Sequence, residues 1–215
     1  MIDAEDLRVP GTDTLKNKFG ITDPAALART ASDCTARRIA ELQVSPIRGG
    51  FDSSHLQEIH RYLFQDVFDW AGELRHIETG SVPATSLKES LNRSLDRLSR
   101  ENLLRGLSAE EWTCRTSGYV EELRSLHPFL AGNDLAIAEF ATELARKNNL
   151  TLQWEQEPNA VSDGLAFAEQ AERSAQLRRL IMLAVDADPL AQISHRPHSL
   201  ERGSELSLQI SNPDI

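Results

Sequence analysis

The sequence predicts a mainly α-helical bundle carrying one small β-hairpin, and three observations support that prediction. Apolar residues recur at spacings of three and four along most of the chain, as in Leu87, Leu91, Leu95 and Leu98. Helix signals bracket these runs, with Ser or Asp before them and Gly or Pro after. Period-two alternation, the mark of a half-buried strand, is confined to short stretches such as Glu73 to Glu78.

Residues 1–22 are mixed and polar, with a turn at Pro10-Gly11 and a short ordered element over 15–20. The first helix starts at Asp23, with Pro24 in its first turn, where a missing N–H costs nothing. Its apolar stripe is Leu27, Ala31, Cys34, Ile39 and Leu42, and Pro46 with Gly49-Gly50 then breaks the chain. A second helix, capped by Asp52 or Ser53, carries Leu56, Ile59 and Leu63 into the cluster Phe64, Val67, Phe68 and Trp70, which Gly72 closes. A hairpin is expected from about Leu74 to Ala84.

Ser86 with Glu89, and Ser108 with Glu111, each read as a capping box opening a helix. Gly106 ends the first of these helices, and the second carries Trp112 and Tyr119. A further helix runs from near Asp134 to Asn148-Asn149. Beyond it, 151–155 alternates, 159–187 reads as one bent helix or two, and 188–215 reads as a flexible or partner-binding tail. Within that tail Leu206, Leu208 and Ile210 alternate like a strand.

A chain of 215 residues makes one domain, or one domain with an appendage. Its net charge of −10 argues against a nucleic-acid partner, which needs clustered basic residues to neutralise phosphates. No apolar run reaches the length of a membrane span and no signal-peptide pattern opens the chain, so a soluble cytoplasmic protein is expected. Cys34 and Cys114 lie far apart, without metal-ligand spacing, and read as free thiols. His60 reads as a hydrogen-bonded core histidine, Trp70, Trp112 and Trp154 as packing residues, and His195 with His198 as too isolated for a metal site.

The stretch from His127 to Asp134 stands out. A helical pattern through Tyr119, Val120, Leu123 and Leu126 runs into it, and one through Ile137, Phe140, Ala141 and Leu144 runs out. Pro128 disfavours helical geometry at His127, Gly132 allows a tight loop, and Asn133 or Asp134 can cap the next helix. A histidine on a loop ending at a helix N-terminus, where unpaired N–H groups favour anions, suits phosphate chemistry. An ordinary helix–helix connection has the same pattern.

Three stretches together resemble the Fic (Fido) family of protein-modifying transferases: 15–21, Ile59-His60-Arg61-Tyr62-Leu63-Phe64 running on to Trp70-Ala71-Gly72-Glu73-Leu74-Arg75, and His127-Pro128-Phe129. The resemblance spans roughly residues 12–187 and keeps the family's order and spacing. It implies a Fic-type helical bundle that moves AMP from ATP, with Mg²⁺, onto a hydroxyl of a target protein. By resemblance His127 is the base, Phe129 anchors the loop, and Gly132, Asn133 and Asp134 line the nucleotide site. Ile77, Glu78, Thr79 and Gly80 would form a flap that docks the target by strand addition.

Against the family's pattern of His-x-Phe-x-Asp/Glu-Gly-Asn-Gly-Arg-x-x-Arg, this chain departs at four positions. The metal-binding carboxylate falls on Ala131, the second Gly on Asp134, and the two Arg on Leu135 and Ala138. A methyl group cannot hold Mg²⁺, and loss of two cations removes partners for phosphate oxygens. Losing one preorganised donor commonly costs about 3–4 kcal/mol of transition-state stabilisation. The expectation is a catalytically impaired homologue with no certain cofactor and no metal, acting through partner or nucleotide binding. The alternative is an active transferase with altered donor or metal needs. The self-inhibitory Ser/Thr-x-x-x-Glu-Gly/Asn sequence of many relatives is absent, so an inhibitor would act in trans; toxin, toxin relic and regulatory partner all fit, and the oligomeric state is open.

Overall fold

The computed structural model describes residues 7–78 and 80–152. Among them are five α-helices: α1 (Pro24–Val44), α2 (Ser53–Phe64), α3 (Ala84–Arg100), α4 (Ala109–Leu126) and α5 (Asn133–Lys147). The readings of 153–155, of the 159–187 helix, of the 188–215 tail with its strand, and of Trp154, His195 and His198 lie outside the described residues, as does Thr79.

The helix α2 is central and packs against α1, α3 and α5, while α4 packs against both α3 and α5. The reason is its face: Leu56, Ile59, Leu63 and Phe64 are buried, joined by His55 and His60. Opposite them lie the leucine stripe of α3, Trp112 and Leu123 of α4, and Ala136, Ile137, Phe140 and Leu144 of α5. Each of those positions follows the three-four spacing that gives a helix one apolar side.

The ends of the helices follow local chemistry. Asp23 accepts from the Ala26 N–H with Pro24 at the first position, and Asp52 accepts from the His55 N–H, resolving the choice between Asp52 and Ser53. Ser108 and Glu111 form the expected capping box. After α5, Asn149 takes a left-handed conformation, with Leu150 N–H donating to Ala145 O and Asn149 N–H to Arg146 O. That is a Schellman closure, which satisfies the last carbonyls of the helix.

Three expectations need correction. The helix α3 starts at Ala84 rather than behind a Ser86 cap; Glu78 reaches across to accept from the Ala84 N–H at 3.2 Å, and Glu89 instead pairs with Arg93. The residue capping α5 is Gly132, not Asn133 or Asp134, because the Asn133 side chain is committed to the preceding loop. The hairpin over 74–84 is not formed by the described residues, which contain no strand there. Its donors go elsewhere: Arg75 N–H to Pro128 O and Ser81 N–H to Ser125 O, while Pro83 has none to give. The backbone N–H groups of the flap segment are thus stitched to the end of α4 and the loop after it.

Because the Ser108 hydroxyl satisfies an otherwise unpaired N–H of α4, Ser108→Ala is expected to lower unfolding free energy by about 1 kcal/mol in urea titrations, with an unchanged m-value.

Candidate functional site

The α4–α5 connection brings the sequence-predicted residues together. His127 ends α4 in a left-handed conformation, φ 49°, with its N–H bonded to the carbonyls of Leu123 and Arg124. Histidine adopts this region at a cost of roughly 1 kcal/mol, so the turn must be held from outside. Asn133 does so from within the loop. Its side chain, in a residue 2 % exposed, accepts from Phe129 N–H at 2.8 Å and donates to Phe129 O at 3.0 Å. The same amide nitrogen lies 3.2 Å from Nδ1 and 3.3 Å from Nε2 of His127, so it contacts the imidazole as well as the Phe129 backbone.

Beneath the loop stands α2. Phe129 is fully buried and stacks on His60 with ring centroids 3.8 Å apart. His60 Nε2 donates to Ala131 O at 3.0 Å, and its Nδ1 accepts from Gly72 N–H at 2.8 Å. Burial pushes the His60 pKa down to about 4, so the ring is neutral and its tautomer is set by these two bonds. One turn further along, Phe64 closes the floor. A Cβ at Gly132 would come within 2.3 Å of its ring, and Gly132 has φ +76°, so glycine is required there on two counts.

The flap residues approach from the other side. Gly80 fits against His127 so closely that a Cβ would lie 2.8 Å from the His127 Cβ. Ile77 and Val82 carbonyls accept from the Arg75 guanidinium, and Glu78 caps α3 rather than facing the loop. So Ile77 and Gly80 belong to the site's rim, and Glu78 has a structural task.

The electrostatics are largely internal. Burial, and after it the Arg75 cation, hold the His127 imidazole below the ordinary histidine range, so it is neutral at pH 7 and able to accept a proton. At the first turn of α5, where the helix dipole favours an anion, Asp134 supplies one and pairs with Arg124 of α4. Its charge is therefore answered by the protein, which tempers the bare repulsion of phosphate expected from sequence. At position 131 the loop offers no side-chain oxygen for Mg²⁺, and the Ala131 carbonyl accepts from His60. Among the described residues no group of three or more His, Cys, Asp or Glu could hold a metal.

Sequence reading gave no role to Arg75, Arg124 or Glu78 as a cap, and assigned His60 only to the core. The one available signal was Arg75, which closes the Trp-Ala-Gly stretch that carries the resemblance.

Two measurements check this geometry. Gly132→Ala is expected to cost at least ~2 kcal/mol in chemical denaturation, from left-handed strain plus the clash with Phe64. His60 titrates lower in the folded than in the unfolded chain, so its stabilisation is full above pH 6.5 and is lost as pH falls toward 4. Between pH 7.5 and 4.5 the wild-type chain should lose roughly 2–3 kcal/mol more than a non-titrating His60→Gln variant, measured by urea unfolding at each pH.

This arrangement has relatives. No protein-family model matches the chain. It is 34% identical over 179 residues, 79% of its length, to protein adenylyltransferase VbhT of Bartonella schoenbuchensis, and spans 37% of that protein. It is likewise 34% identical over 151 residues to the probable protein adenylyltransferase Fic of Salmonella typhimurium, covering 68% of this chain and 74% of that one. The fold is similar to that of the BepC protein of Bartonella tribocorum, solved with bound AMPPNP, at a TM-score of 0.72 and 24% identity, covering 84% of this chain and 96% of that one. A helical bundle with His127 on the α4–α5 loop, at this identity to named protein adenylyltransferases, makes the chain a member of the Fic family.

Proposed function

We propose that this chain is a catalytically impaired homologue of the protein adenylyltransferases, one that binds a nucleotide or a protein partner without efficient transfer of AMP. The observation that carries this reading is the chemistry around His127. The base and the loop that positions it are intact, while the groups that would hold and polarise a phosphate donor are not. Ala131 has no ligand for a cation, and its carbonyl is used by His60. Asp134 fills the anion-favouring end of α5 with the protein's own carboxylate and engages Arg124. Leu135, at a position where the family pattern has a cation, packs against the core. A neutral imidazole can take a proton from a hydroxyl, but the developing charge on a phosphate would find few fixed cations.

A second reading, an active transferase of altered donor or metal requirement, draws on the relatives. They are named protein adenylyltransferases, and the BepC structure holds AMPPNP. The nucleotide, the protein target and any inhibitor acting in trans remain part of either proposal.

Calorimetry with ATP, with and without Mg²⁺, together with label transfer from α-labelled ATP to cell lysate, separates the two. Under the first reading any affinity for ATP is unaffected by Mg²⁺, and labelling does not exceed the His127→Ala background. Strong labelling that His127→Ala abolishes overturns it. The combined change Ala131→Glu, Asp134→Gly, Leu135→Arg and Ala138→Arg is expected to raise labelling by at least ~10²-fold, the worth of one restored preorganised group.

A further inference from the structure

Arg75 is a buried cation with an unusual set of partners. The residue is 3 % exposed, and its guanidinium donates to four carbonyl oxygens: Nε to His127 at 2.7 Å, Nη1 to Ile77 at 2.8 Å, and Nη2 to Val82 at 2.6 Å and Leu126 at 3.3 Å. Among the described residues no carboxylate lies within ion-pair distance of it. Its charge is answered by the C-terminal end of α4, whose last carbonyls it caps, and at longer range by Glu78. Burying a full charge against neutral acceptors costs more than a neutral donor would, so a simple staple between loops does not explain an arginine here. What the planar fork does, and a single donor cannot, is hold two pairs of carbonyls at once.

Those pairs belong to different elements. Leu126 and His127 form the left-handed turn that presents the imidazole; Ile77 and Val82 are the two arms of the flap segment, on either side of Gly80. We propose that Arg75 is a positioning residue that couples the flap segment 77–82 to the placement of His127, so that an extended chain docked on the flap is registered at the imidazole. A movement of either flap arm must break or drag a bond to the same guanidinium that fixes the His127 carbonyl. Two further contacts run along this seam: Ser81 N–H donates to Ser125 O at 3.1 Å, and Gly80 packs so closely that a Cβ there would lie 2.8 Å from the His127 Cβ. The charged groups acting on the imidazole are Arg75 itself and Asp134 of α5, the latter paired with Arg124 of α4. The coupling concerns geometry, and holds whether the loop transfers a nucleotide or only binds one.

The test is a double-mutant cycle read at His127 in the isotopically labelled full chain. Ser81→Ala loosens the flap by removing its side-chain bond to Ser125 O. In the wild-type background this change is expected to shift the His127 ring resonances and titration midpoint, and to speed exchange of the backbone amide at position 81 about 10-fold. In an Arg75→Met background Ser81→Ala should leave His127 unmoved, although the amide still exchanges faster. Arg75→Lys keeps the charge but not the fork, and serves if the methionine variant does not fold; it should show the same loss of coupling. Equal Ser81→Ala shifts at His127 with and without the arginine, or a lysine variant that transmits like wild type, would overturn the proposal.

Discussion

A neutral imidazole at position 60 joins the helical core to the candidate site, and its neutrality is a requirement of its surroundings. The Nδ1 lone pair receives the Gly72 N–H while the Nε2 proton goes to Ala131 O. A second proton would set donor against donor in a space closed to water. Held in this state, the ring supplies a flat surface for Phe129, and Phe64 one turn away denies any side chain to Gly132. The path of the loop is therefore imposed by two residues on one face of α2. Any change that tilts α2 moves the loop with it.

On that frame the charges fall where helix dipoles favour them. Arg75 sits at the negative end of α4, and Asp134 at the positive end of α5 with Arg124 beside it. Helix ends left open are what draw a ligand's charges to a loop of this kind. Here the protein's own groups stand at both ends. Such internal satisfaction favours stability over affinity for an outside anion, the usual direction of the trade between a quiet fold and a reactive site.

How much of this was legible before the structure follows from range. Helices α1 to α5 were readable because a period of three to four residues is local, and so were the caps at Asp23, Asp52 and Ser108, whose partners lie within three residues. The His127 loop was readable from Pro128 and Gly132 for the same reason. The hairpin was not, because the hydrogen bonds that decide it run to Ser125 and Pro128, more than forty residues away. Alternation over 73–78 could not say which acceptors its N–H groups would find, nor that Arg75 would be the residue buried there. Asn133 was read as a helix cap by type, yet its amide closes the loop instead, a choice made by tertiary packing around Phe129. Arg124 and Asp134 meet across a turn whose shape no spacing rule encodes.

The residues of the loop also differ in what keeps them there. Phe129, Gly132 and Asn133 are fixed by packing: substituting any of them opens a cavity, forces a clash or strands buried polar groups, whatever the protein does. The loop's shape is thus explained by stability alone and carries no weight on chemistry. His127 is different. It is half-buried, fills no core position, and holds a left-handed backbone in which glycine would be less strained. Arg75 and Asn133 spend bonds on keeping it so. An imidazole held at a cost to the fold, kept neutral by burial and set against the flap, is a feature of the loop that packing does not explain. It is there that a binding or catalytic use of this site has to be sought.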